Sequence, residues 1–127
     1  MSMKWVLKFG AYKDKDDVFE AVAAGEKTIE TRPLNPEKKK NYGQIKPGDE
    51  LVLVSLSSGR KMNKTVKSVR KYKSVEEMAE KEQTEKIFPG VKTAAELVKI
   101  FAELKKKWGK EYARKLEKYG IAAIEME

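Results

Sequence analysis

The 127-residue chain contains no cysteine and no histidine. Without cysteine there can be no disulfides and no thiolate nucleophiles. Without histidine the commonest general base and the commonest zinc ligand are missing. No Ser-His-Asp arrangement can form, so any catalysis has to run on lysine, carboxylates or hydroxyls. No apolar run approaches a membrane span, and the N-terminus lacks the charged, apolar and small-residue pattern of a secretory leader. Proline is scarce, at four residues, and the only low-complexity tract is Lys38-Lys39-Lys40. The expectation is a single cytoplasmic domain over residues 1–127, monomeric, with no membrane contact, no metal and no cofactor. A chain rich in Lys and Glu but sparse in Asn and Gln fits a thermophilic source.

Charge is plentiful. Twenty-eight Lys and Arg stand against 20 Asp and Glu, for a net +8. Residues 51–75 carry seven of the cations (Arg60, Lys61, Lys64, Lys67, Arg70, Lys71 and Lys73) and no carboxylate, while the flanking segments nearly balance. A concentrated positive field suits a polyanion, because each cation set on a phosphate releases counterions. These seven residues are the predicted nucleic-acid face. Tyr72, among Arg70, Lys71 and Lys73, has two readings: a stacking platform for a base, or a ring packed on the following helix. Tyr42 follows the triple lysine and can fold over a ligand.

The apolar pattern predicts an α+β chain. Met3–Phe9 alternates as a half-buried strand. Asp16 or Asp17 caps a short helix through Ala24, with Gly25 past its end. Lys27–Arg32 reads as a second strand stopped by Pro33, and Glu37–Gln44 as a mobile basic loop. Glu50–Leu56 is a third strand. Lys64–Lys73 is a fourth, and the odd spacing of Val66 and Val69 predicts a bulge between them. Ser74 and Thr93 each open a helix as capping boxes with Glu77 and Glu96. Leu97, Ile100, Phe101, Leu104 and Trp108 repeat at helical spacing as a core stripe, with Trp5 a further core tryptophan. Gly109 breaks that helix, Tyr112, Leu116 and Tyr119 continue on another, and Ile121–Met126 is the closing strand.

Gly25-Glu26-Lys27-Thr28-Ile29-Glu30-Thr31-Arg32 is the densest functional pattern. On regular strand geometry Thr28, Glu30 and Arg32 share one face and Lys27, Ile29 and Thr31 the other. Glu30 and Arg32 either present an acceptor and a guanidinium fork to a planar polar ligand, or brace the rim as an ion pair. The spacing Gly-x-Lys-x-x-Glu-x-Arg resembles the signature of the ASCH (activating signal cointegrator homology) domains of the PUA-like superfamily. Lys46-Pro47-Gly48-Asp49, the long strand running into the Ser74 helix, Phe88-Pro89-Gly90 and the closing strand are similar to that family in order and spacing.

The resemblance implies a PUA-like β-barrel with flanking helices that binds RNA, a nucleotide or a nucleoside. A cleft would contain Lys27, Thr28, Glu30 and Arg32. It also implies alternatives: an amidohydrolase of the N4-acetylcytidine type, a ribonuclease, or a protein-interaction adaptor. In the amidohydrolases the motif lysine corresponds to Lys27 and a later glutamate to Glu82, with Glu80 and Glu85 in neighbouring register. The threonine nucleophile's position is held by Glu30, which can activate water but cannot replace a hydroxyl. Lys27, Glu30 and Glu82 are therefore the candidate catalytic set.

Overall fold

The closing segment Ile121–Met126 is apolar on both faces, and a strand of that kind has to be covered on both. In the computed structural model, which describes residues 2–127, it lies inside a five-stranded sheet, with α-helical side chains packed on both of its faces. The elements run β1 (Lys4–Phe9), α1 (Asp17–Ala23), β2 (Ile29–Pro33), a 3-10 turn at Tyr42–Gln44, β3 (Glu50–Ser55), β4 (Lys61–Tyr72), α2 (Val75–Lys81), α3 (Thr84–Ile87), α4 (Ala94–Trp108), α5 (Lys110–Tyr119) and β5 (Ile121–Met126). The strand order is β1-β3-β4-β5-β2, with β1 and β3 parallel and the other pairs antiparallel. The sheet curls into a half-barrel whose two edges are β1 and β2. The expected α+β class holds. Among the described residues no helix is long and apolar enough to cross a membrane.

Two cores meet at β5. Its Ala122, Ile124 and Met126 face the barrel interior with Trp5, Leu7, Leu51, Leu53 and Val66, plugged by Phe19 and Val22 of α1. Ile121 and Ala123 face the other way, with Ile29, onto Met78, Leu97, Phe101 and Leu116. Each fully buried Leu or Ile contributes about 1.5–3 kcal/mol. The expected bulge is present: Val66 pairs Met126 while Ser68 pairs Glu125, leaving Lys67 extra. The bulge keeps Val66 and Val69 on the barrel side and turns Arg70 and Tyr72 toward the helices.

Both helices open on the expected N-caps, Ser74 accepting from Glu77 N–H (3.1 Å) and Thr93 from Glu96 N–H (3.2 Å). The boxes are half-formed: Glu77 accepts from Lys73 N–H and Glu96 from the Thr93 hydroxyl rather than from the cap's backbone. Asp16 and Asp17 behave differently. Asp16 precedes α1 with φ +59° and gives its carboxylate to the hydroxyls of Ser55 and Ser58. Asp17 instead accepts the backbone N–H groups of Tyr12 (2.8 Å) and Lys13 (2.7 Å), folding the 10–15 loop back on the helix start. Gly120 joins α5 to β5 at φ +91°, and a Cβ there would stand 2.1 Å from the carbonyl oxygen of Tyr72. Only glycine permits that approach.

Three expectations change. Strand β2 starts at Ile29 rather than Lys27, because the N–H groups of Glu26 and Lys27 both go to Ala21 O (3.0 Å each), closing α1. Trp108 is not core: it is 47% exposed at the last turn of α4, where the stripe has run past the sheet. Glu37–Gln44 carries tethers, with Glu37 bound to Arg114, Lys118 and Tyr119 of α5 and Asn41 capping the 3-10 turn. Trp5 is core, and its Nε1–H donates to Asp49 (3.0 Å).

Candidate functional site

The open side of the half-barrel, between the edges β1 and β2, is bridged by one side chain. Arg32 leaves β2 and donates from Nη2 to the Lys8 carbonyl of β1 at 2.8 Å. Beside this bridge lies a cavity of about 250 Å³, with Lys8, Arg32 and Pro33 among its lining residues. Its polar floor is Lys27, Glu30 and Arg32. Glu30 and Arg32 are two apart on β2, so they share a face, as expected. Lys27 joins them, contrary to strand alternation, because it precedes the strand in the turn that closes α1.

Glu30 and Lys27, the most buried groups of the floor, are tied in on every side. Glu30, 7% exposed, accepts at Oε1 from Thr31 N–H (3.0 Å) and Lys27 Nζ (3.3 Å), and at Oε2 from Arg32 Nε (3.1 Å) and Nη2 (2.8 Å). Lys27, 5% exposed, also donates to Ile29 O (2.8 Å) and Ile87 O (2.7 Å), tying the start of β2 to the end of α3. Burial lowers the Lys27 ammonium below its ordinary pKa, only partly offset by Glu30. Burial pushes the Glu30 carboxyl up, but Lys27 and Arg32 outweigh it and hold the group below the usual carboxylate range. The floor is therefore a cation-anion-cation row.

The walls are aromatic. Arg32 lies 5.3 Å from the Phe9 ring centre and 5.6 Å from that of Tyr42. Tyr12 meets Phe88 edge to face at 4.8 Å, and Trp108 meets Tyr112 in the same way at 5.0 Å. The Tyr112 hydroxyl is raised first by burial and then by the nearby Glu30 charge, so it stays a donor. These rings line one cavity together with the polar floor, setting apolar faces beside charged groups.

The other sequence candidates lie elsewhere. Thr28 flanks the site, its backbone bonded to Lys86 O and Met126 N–H, and does not line the cavity. Glu82 ends α2 on the helix side of the sheet. There it accepts from Arg70 Nε (2.6 Å) and Nη2 (2.8 Å) and from the Tyr72 hydroxyl. Glu82 does not line the cavity that holds Lys27 and Glu30. The Tyr72 hydroxyl is pushed up to about 12 by burial and by Glu82, and its ring packs with the helix core. That is the packing on the following helix expected in one of its two readings.

The basic segment is less free than its sequence. Arg60 pairs with Glu20, Lys67 with Glu125 (3.7 Å), and Arg70 with Glu82 and Glu125. Carboxylates from α1, α2 and β5 close on a segment that carries none of its own. Lys61, Lys71 and Lys73 remain exposed on β4 and just beyond it, and Lys64 is half-buried.

Sequence reasoning missed Tyr12, Phe88 and Tyr112 as site residues and placed Trp108 in the core. Each is a single aromatic in a different segment. The one available signal was Trp108, the last stripe residue before Gly109, where a helix is ending. It also missed a second cavity of about 320 Å³ on the far side of Pro33 and Tyr42, bordered by Lys4, Lys38, Lys40 and Lys115.

Residues 15–126 match the family described as ASCH domain. Two solved structures are similar over nearly the whole chain. A crystal structure of the hypothetical protein PH0355 is 34% identical, with a TM-score of 0.70, covering 98% of both chains. A solution NMR structure of protein PF0455 from Pyrococcus furiosus is 32% identical, with a TM-score of 0.61, covering 98% of this chain and 96% of that one. No curated protein matches the chain.

Proposed function

This chain belongs to the ASCH domain family, and from that premise we propose that its cleft holds one unpaired base of an RNA strand, without turnover. RNA is named because ASCH domains are generally associated with RNA binding. The observation that carries the reading is the pairing of an aromatic-walled slot of about 250 Å³ with the Lys27–Glu30–Arg32 floor. A base has an apolar face to stack and a polar edge to read, and the slot supplies both. On the floor, Nη1 of Arg32 has no hydrogen-bond partner among the described residues, and the Tyr112 hydroxyl stands close by. Both are donors, while the Glu30 oxygens are saturated. A base presenting acceptors, such as O4 of uracil or O6 and N7 of guanine, matches them better than an amino edge.

A hydrolase needs a base and a nucleophile free to move protons. Lys27 spends its three N–H groups on Ile29 O, Ile87 O and Glu30, and Glu82 is held by Arg70 and Tyr72. That is why binding is preferred to hydrolysis. In this reading the protein acts as a cytoplasmic monomer.

The test uses Trp108, half in solvent at the slot's edge, as both probe and target. Single-stranded RNA should change its fluorescence in the native chain. Trp108→Ala should weaken binding by about 1–3 kcal/mol, the value of one base–aromatic stack, with the melting temperature nearly unchanged. Unaltered affinity in Trp108→Ala would remove the slot from the interface.

A further inference from the structure

We infer that the second cavity is a phosphate site, holding the phosphate next to the base bound in the slot; this rests on the reading above. The cavity abuts the slot, and Pro33 and Tyr42 line both. In a nucleotide only the sugar separates base from phosphate, so a strand that puts its base in the slot lays its sugar over this wall and its phosphate in the next cavity.

The chemistry of the second cavity is that of an anion site. Four lysines border it, Lys4, Lys38, Lys40 and Lys115, and no Asp or Glu does among the described residues. They come from β1, the 35–41 loop and α5. Lys4 is 4.0 Å from Glu50 at an exposed position, too loose a pair to neutralise the site. Glu37, the carboxylate nearest in sequence to Lys38, is occupied by Arg114, Lys118 and Tyr119. Four ammonium groups around one cavity repel each other and are relieved by an anion.

A second observation is independent of charge. Asn35 also borders the cavity and is only 8% exposed. Its Oδ1 accepts from Glu37 N–H at 3.3 Å, which fixes the amide, while Nδ2 has no hydrogen-bond partner among the described residues. Nδ2 is not sealed from solvent, and an amide donor left open at a cavity wall is suited to a ligand oxygen. Lys40 lies over the Trp5 ring, 4.9 Å from its centre, which holds its ammonium at the cavity's edge.

The experiment compares ribonucleosides, their 5′- and 3′-monophosphates and inorganic pyrophosphate by calorimetry, with the Asn35 side-chain amide followed by NMR. One added phosphate should tighten nucleoside binding about tenfold, the value of one charge-assisted contact. Lys38→Ala/Lys40→Ala/Lys115→Ala should abolish that increment and leave nucleoside affinity unchanged. Asn35→Asp, which adds a carboxylate to the cavity, should do the same. Lys61→Ala/Lys67→Ala/Lys73→Ala on the basic segment should retain the increment. Pyrophosphate alone should shift the Asn35 amide. Monophosphates binding no tighter than nucleosides, or an increment that survives the loop variant, would overturn the site. If no nucleoside binds yet pyrophosphate still shifts Asn35, the slot fails and the phosphate site stands. An Asn35 amide indifferent to pyrophosphate overturns the site whatever the slot does.

Discussion

Replacing Glu30 by Gln isolates the electrostatics of the cleft floor, because the amide has the carboxylate's size. Its NH2 has to face either the two Arg32 donors or Lys27 and the Thr31 N–H, so donors meet donors in either orientation. Lys27, 5% exposed, then keeps its charge among carbonyls alone. Removing one partner of a buried pair costs about 3–5 kcal/mol. For a chain of this size that lowers the melting temperature by about 10–20 °C. Lys27→Met should cost about 1–3 kcal/mol, since Glu30 keeps Arg32 while the Ile29 and Ile87 carbonyls lose a donor. The double variant should lose less than the two singles combined.

The pH dependence carries a sign. The folded pKa of Lys27 lies below its unfolded value, so between the two the unfolded chain binds more protons and stability rises with pH. Without Glu30 the folded pKa drops further and that window widens, so the Glu30→Gln deficit should shrink from pH 7 to pH 10. Glu30's own folded pKa is lowered, and its contribution is lost as pH falls through that value. The deficit should therefore shrink toward pH 3 as well. Circular-dichroism melts at about pH 3, 7 and 10 on all four chains decide the matter. A deficit below about 1 kcal/mol, or one constant across pH, would mean that the row is not an energetically coupled buried network.

Two further outcomes are expected. Gly120→Ala should destabilise by about 2–4 kcal/mol, because the added methyl meets the Tyr72 carbonyl at a positive φ. Urea titration measures this, and near-native stability would contradict the packing of the α5–β5 junction. Neither the native chain nor Glu30→Thr should deacetylate N4-acetylcytidine in a chromatographic assay, because Glu82 is held by Arg70 and Tyr72 outside the slot. Turnover that disappears in Lys27→Met would instead restore the hydrolytic reading.

The strands, the Lys67 bulge, the Ser74 and Thr93 caps and the closing strand were legible because each depends on neighbours within a few residues. So was the motif: Glu30 and Arg32 fall on one face through the period of a strand. Lys27 joined them only because the chain closes α1 before β2 begins, a boundary set by hydrogen bonds to Ala21. Sequence counted the cations of 51–75 correctly but could not see Glu20, Glu82 and Glu125 folding onto them from three other elements. The aromatic slot and the lysine cavity were likewise invisible, being built from single residues far apart along the chain. Local pattern is written in adjacent residues, which determined the elements and the motif. Where charges cancel and where cavities open depends on which elements the curl of the sheet brings together, and only the tertiary structure decided that.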